Sequence, residues 1–255
     1  MNLLTRFSFL LLAAISLFAL AACSPTEKTA QPQAQNTPAS AEVKAPDQAA
    51  PENAQPAVRQ DPAPARDEAA FAKLLDPSQF NDVAPVQFNV NIKTTKGDIV
   101  VELHRDWAPL GVDRFYNLVV GGYFNDIAIF RAVAGFVIQF GIHGSPLVNN
   151  AWYQATIQDD PVRESNVKGT LTFATGGPNT RTTQLFINLN DNKRLDKMGF
   201  SPIGKVIKGM DVIDKLNYEY SELPSMNQEK IHKQGNAYLK TQFPNLDYII
   251  SMSVE

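Results

Sequence analysis

The feature that most limits the fold is a glycine-broken apolar run with two polar intrusions. Residues 129–140 are apolar or glycine except for Arg131 and Gln139, and Gly135 and Gly141 interrupt and end the run. Segments this short, separated by glycine, read as a pair of strands. A guanidinium and an amide are costly among apolar groups unless each is hydrogen-bonded. Arg131 therefore either faces water from an edge strand or lies against something meant to meet it. Residues 170–188 repeat the design. β-Branched and aromatic residues flank Gly176, Gly177 and Pro178, and strand alternation puts Gln184 and Phe186 on one face. Many short strands with few helices point to a mainly β, antiparallel barrel, whose closure would remove exposed edges.

The ordered set Phe130-Arg131, Gly135-Phe136, Gln139, Phe173-Ala174, Gly177-Pro178-Asn179-Thr180 and Gln184-Leu185-Phe186-Ile187 resembles the cyclophilin family of peptidyl-prolyl cis-trans isomerases. The resemblance spans about residues 86–255. It implies a closed antiparallel eight-stranded barrel capped by two helices, acting on proline-containing polypeptides with no cofactor and no metal. It implies Arg131 as the catalytic residue and Phe136, Val137, Phe186, Leu195 and Phe200 as walls of a cup for the proline ring. Gln139 and Gln184 would anchor the flanking backbone, and Ala174 and Thr175 would offer main-chain groups to the peptide. The chain departs from better-known members at Val137 (often Met), Thr175 (often Asn), Phe200 (His) and Arg194 (Trp).

Upstream of this domain the composition changes twice. Residues 1–22 carry one cation, Arg6, followed by an apolar and small-residue run that is short for a membrane span of about 20 residues, which is the pattern of a secretory signal. Leu20-Ala21-Ala22-Cys23 matches the bacterial lipobox, in which the cysteine becomes an acylated N-terminus, and Cys23 is the only cysteine in 255 residues. A single thiol allows no disulfide within the chain. Two or more acyl chains would anchor it firmly to a membrane, and Ser24 after the cysteine, by resemblance to known sorting behaviour, allows transfer to the outer membrane. The expected location is thus the periplasm-facing side of a bacterial envelope. Residues 23–66 lack aromatic residues and glycine and are rich in Pro, Ala and Gln, so they read as a disordered tether. The formal charge of −3 offers no basic face to nucleic acid, and the chain is expected to be a monomer.

Residues 67–85 read as a lead-in with a short helix over 67–75, stopped by Asp76-Pro77. The domain, residues 86–255, opens with a hairpin turning at Lys96-Gly97, then a helix starting at Pro109 and ending before Gly121-Gly122. Residues 142–168 read as loop, anchored by Trp152. Residues 209–216 read as the second capping helix and 246–254 as a closing strand. The stretch 218–243 is longer than in compact family members, with an added helix over 228–242.

Other chemistries find little footing. His104, His143 and His232 lack metal-ligand spacing, and no nucleophile-elbow, phosphate-loop or dinucleotide-binding pattern is present. The competing reading is a chaperone or scaffold that holds proline-containing segments without turning them over. Holding an apolar ring needs no cation, so Arg131 favours catalysis. For the leader, mass spectrometry of membrane-extracted protein is expected to find Cys23 as an acylated N-terminus; a cleaved, unmodified chain would contradict it.

Overall fold

The strict alternation of residues 87–104 becomes a hairpin. In the computed structural model, which describes residues 68–255, β1 (Gln87–Thr94) and β2 (Gly97–His104) pair antiparallel from Gln87 opposite His104 to Thr94 opposite Gly97. The leader, Cys23 and the 23–66 tether lie outside the described residues. Alternate residues Phe88, Val90 and Ile92, with Ile99, Val101 and Leu103, enter the main core. The lead-in helix α1 (Glu68–Leu74) is fixed by Trp152, whose buried indole N–H donates to the Leu74 carbonyl at 2.8 Å.

Helix α2 (Pro109–Val120) begins at a proline, whose missing N–H costs nothing in a first turn. Its N-terminus is capped from a distance: the Leu110 and Gly111 N–H groups donate to the Asp160 carboxylate at 3.0 and 2.8 Å. Val112, Phe115, Leu118 and Val119 face the core. A further helix, α3 (Pro146–Trp152), lies where the sequence suggested only loop. Gly144-Ser145-Pro146 looks like a turn, yet proline after serine is also how a helix starts.

The remaining strands are β3 (Ile127–Ala128), β4 (Arg131–Val133), β5 (Val137–Phe140), β6 (Thr170–Phe173), β7 (Leu185–Asn188), β8 (Pro202–Lys208) and β9 (Tyr248–Val254). They form one antiparallel sheet in the order β3-β9-β1-β2-β8-β6-β7-β5-β4. The expected closed eight-stranded barrel is therefore corrected to a curled nine-stranded sheet whose end strands, β3 and β4, do not pair. Only residues 129 and 130 separate those ends, so they lie within about 11 Å along the chain. Backbone groups there are taken by other partners: Ile129 N–H donates to Asp247 O at 2.9 Å and Ala132 N–H to Ser221 O at 3.2 Å. The C-terminal segment thus covers the edge that a ladder would otherwise close.

The second capping helix is also shorter than expected. α4 (Met210–Ile213) is one turn, although Val212, Ile213 and Leu216 are buried as read. After Asp214 the bonds tighten, from Lys215 N to Val212 O and Leu216 N to Ile213 O, and Asn217 N–H then turns to the Asp247 carboxylate at 2.6 Å. The added helix α5 (Gln228–Gln242) is present over the expected residues and bends at Gly235 (φ 58°), where a Cβ would lie 2.0 Å from Gly144 O. Its Ile231 and Leu239 pack with Ala128, Phe130, Ile142 and Leu246 into a second small core.

Two stability tests follow from these contacts. Asp160 accepts from α2 and from Arg181 Nη2 at 3.1 Å, and both side chains are almost fully buried. Asp160→Ala uncaps α2 and leaves the buried Arg181 guanidinium, among the described residues, only the Asp159 carboxylate, at 3.3 Å, and the Gln158 carbonyl, and should cost about 2–5 kcal/mol by chemical denaturation; a loss under about 1 kcal/mol would contradict the pairing. His232, edge-on to Tyr153 at 5.9 Å with its Nδ1 buried, has its pKa pushed below the ordinary 6.5 by burial. A depressed imidazole means the native state binds fewer protons, so stability should fall as pH drops through 6.5 toward the folded value. Denaturation from about pH 8 to about pH 5 should show a flatter profile for His232→Gln than for the parent. Parallel profiles would refute it.

Candidate active site

Strand register assembles residues that are far apart in sequence. Arg131 on β4 stands opposite Gln139 on β5, and Gln139 opposite Phe186 on β7, one row across three strands. Alternation then splits the two faces. Ile138, Phe140, Leu185 and Ile187 enter the main core, while Val137 and Phe186 turn to the other side. There they meet Leu195, with Phe136, Ala174 and Phe200 packed against them. Phe186 and Phe200 make an edge contact, centroids 5.7 Å apart at 71°.

Leu195 comes from a short 3₁₀ turn, Lys193–Met198, which ends at Gly199 in left-handed backbone (φ 85°), and Phe200 follows directly after it. Asp196 ties that turn down, accepting from Ser165 Oγ and from Asn166 N and Nδ2, the last two at 2.8 Å. Burial works against its charge, but these hydrogen bonds outweigh it and hold the carboxyl below the usual range. Asn166 Nδ2 also reaches Phe200 O at 2.8 Å. Phe136 is fixed through its carbonyl, which accepts from Leu189 N at 2.8 Å and Asn192 Nδ2 at 3.0 Å.

The cation sits at the rim of this apolar cluster. Arg131 Nη1 donates to Gln139 Oε1 at 3.3 Å, Nη2 pairs with the Glu222 carboxylate, and the guanidinium carbon lies 5.4 Å from the Phe136 ring centroid. Arg194 approaches the same ring at 5.0 Å. Gln139 Nε2 donates to Gln184 Oε1 at 2.9 Å, and Gln184 Nε2 to Gln228 Oε1 at 3.1 Å. Ala174 N–H is already committed to Gln184 O at 2.9 Å. The Thr175 hydroxyl bonds within its own turn, to Gly177 O and Thr180 Oγ1.

These groups enclose a cavity of about 270 Å³, below the roughly 300–1,000 Å³ typical of pockets for drug-sized ligands. Of the residues singled out in the sequence, Arg131, Phe136, Val137, Gln139, Ala174, Thr175, Phe186, Leu195 and Phe200 line it. Gln184 does not. It faces a second hollow of about 950 Å³ walled by α3, α5 and residues 176–184, and is linked to the first through its bonds to Gln139 and Gln228. Sequence reasoning missed Gln228, which lines both cavities, and Glu222, the partner of Arg131. Both lie in the 218–243 stretch, which carries no family motif; its unusual length was the one available signal.

The family model described as cyclophilin type peptidyl-prolyl cis-trans isomerase/CLD matches residues 89–236. Among relatives, a peptidyl-prolyl cis-trans isomerase of Acinetobacter baylyi is 31% identical over 163 residues, covering 62% of this chain and 86% of that protein. Peptidyl-prolyl cis-trans isomerase A of Dickeya dadantii is 30% identical, covering 60% of this chain and 85% of that protein. In fold, the chain is similar to the crystal structure of a cyclophilin type isomerase of Cryptosporidium parvum, with TM-score 0.50 and 22% identity over 66% of this chain and 98% of that one. With the family model covering more than half of its length, and the strand row and apolar cluster in place, the chain belongs to the cyclophilin-type peptidyl-prolyl cis-trans isomerase family.

Proposed function

We propose that this peptidyl-prolyl cis-trans isomerase holds a substrate proline ring in the cup of Phe136, Val137, Phe186, Leu195 and Phe200, and presents Arg131 to the imide as it twists. Rotation about an X-Pro bond is opposed by amide resonance, with a barrier of about 20 kcal/mol. No nucleophile is needed; the requirement is to favour the twisted imide over both planar forms. An acceleration of about 10⁵ asks for about 7 kcal/mol of that preference.

The lone pair of a planar imide nitrogen is delocalised and a poor acceptor. Twisting localises it, so a donor at that point acts selectively on the transition state. A guanidinium has five N–H donors; Arg131 gives one to Gln139 and one to Glu222, which leaves others for substrate. The apolar cup restrains the ring while the preceding carbonyl swings, with Gln139 at the cup and Gln184 in the adjoining hollow to hold the flanking backbone. The observation that carries this reading is the row Arg131–Gln139–Phe186, which sets a cation at the rim of an apolar cluster.

From the leader, Cys23 and the 23–66 tether, we further propose that the chain works as a monomer on exported proteins, anchored by acyl chains at the periplasmic face of a bacterial envelope.

The test is a protease-coupled isomerisation assay on X-Pro peptides. Arg131→Ala should lower kcat/KM by about 10²–10³-fold, and Arg131→Lys should recover only part of the loss because a point charge does not replace the planar fork. Equal rates in parent and Arg131→Ala would refute the assigned role, and a parent that binds the peptide without turnover would favour the scaffold reading.

A further inference from the structure

Residues 218–243, outside the motifs of the family resemblance, do more than lengthen the chain. Their side chains Tyr220, Ile231, Tyr238, Leu239 and Phe243 pack on Ala128, Phe130 and Ile142, the residues flanking the strand pair that carries Arg131 and Gln139. The backbone at the start of the stretch is bound to β4 itself, through Ala132 N–H to Ser221 O at 3.2 Å. Ser221 is held in left-handed backbone (φ 49°), uncommon for a residue with a side chain and a sign that surrounding contacts dictate the turn. The next residue, Glu222, has its own carbonyl engaged by Ser225 Oγ at 2.7 Å and Met226 N at 3.2 Å. Its carboxylate meets Arg131 Nη2.

We propose that Glu222 is a positioning residue for Arg131: residues 218–228 deliver a carboxylate that fixes the plane of the guanidinium and, through it, the direction of the amides beside the cup. This rests on the isomerase reading above. A carboxylate only accepts and a guanidinium only donates. Gln139 must therefore show Oε1 to Arg131, which leaves its Nε2 to donate to Gln184 Oε1, and Gln184 Nε2 to donate to Gln228 Oε1. The series Glu222, Arg131, Gln139, Gln184, Gln228 begins and ends in the same C-terminal stretch. Two glutamine amides that could each flip are thereby held one way round, with Arg131 locked at one end and Gln228, at the start of α5, at the other.

Glu222 is about half exposed (54% of its side chain), so the ion pair contributes little to stability and a variant there should fold. Its effect belongs to orientation. In the full-length chain purified in mild detergent, isomerisation of an Ala-Pro peptide is followed by NMR exchange spectroscopy over a range of peptide concentrations, and the Arg131 Nη resonances are recorded separately. Glu222→Ala should lower kcat about tenfold while KM stays within about twofold, and should merge Nη resonances that are resolved in the parent. Glu222→Gln, which keeps an acceptor, should restore most of both. Glu222→Ala indistinguishable from the parent in both readouts, or faster than it, overturns the proposal. An inactive parent whose Arg131 resonances still merge in Glu222→Ala supports the positioning and overturns the isomerase reading instead.

Discussion

A guanidinium held at the lip of an apolar cup is the constraint on which this structure turns. Such a group is expensive beside Phe136, Val137 and Phe186 unless its donors are satisfied; Gln139, Glu222 and the face of Phe136 engage its outer end, while Nε is buried without a hydrogen-bond partner among the described residues. Their arrangement is not local in sequence. It needs β4, β5 and β7 in one register, since a slip of one residue would send Gln139 and Phe186 to the core face and Ile138 and Ile187 to the cup.

The rest of the domain makes that register hard to lose. Main-core side chains from both hairpins fill the inner face, so β5 and β7 are buried on both sides, while β4 shows Arg131 and Val133 partly to solvent. Behind it, Asp160 joins the N-terminus of α2 to Arg181 on the loop that leads into Gln184. Gly141, in left-handed backbone (φ 108°), allows β5 to pass so close to that loop that a Cβ there would lie 2.2 Å from Thr183 O. The outer face is closed by the turn carrying Leu195 and by Phe200 just after it, fastened through Asp196 and Asn166. What ladder pairing leaves open at β4, the C-terminal stretch covers.

Much of this was legible in the sequence, for particular reasons. The β1–β2 hairpin and α2 announce themselves by clean periodicity and by Pro or Gly at their ends, whereas α5 was read only from the extra length of residues 218–243 and is broken at Gly235. The cup residues were reachable through the resemblance, because the motif carries them in order around a strand, a turn and a strand. The misreadings share a cause: a local signal with two physical meanings. Gly144-Ser145-Pro146 serves a turn or a helix start, and only packing of α3 against α5 decides for the helix. Residues 209–216 have helical spacing throughout, yet the pull of Asp247 on Asn217 ends the helix after one turn. Barrel closure was expected from strand count, but pairing of Ile129 and Ala132 with residues 247 and 221 is a long-range choice that periodicity does not encode. Glu222 and Gln228 were invisible for the same reason, being polar residues in a stretch that looks like any solvated surface.

The central claim is geometric: the cup takes the proline ring while the Arg131 fork faces the imide. The most direct measurement is a structure of this chain with an X-Pro peptide bound. The account predicts the pyrrolidine against Phe136, Phe186, Leu195 and Phe200, with an Arg131 N–H within hydrogen-bond reach of the proline residue. A peptide seated instead in the larger hollow between α3 and α5, with the cup empty and Arg131 still bound only to Glu222 and Gln139, would contradict it.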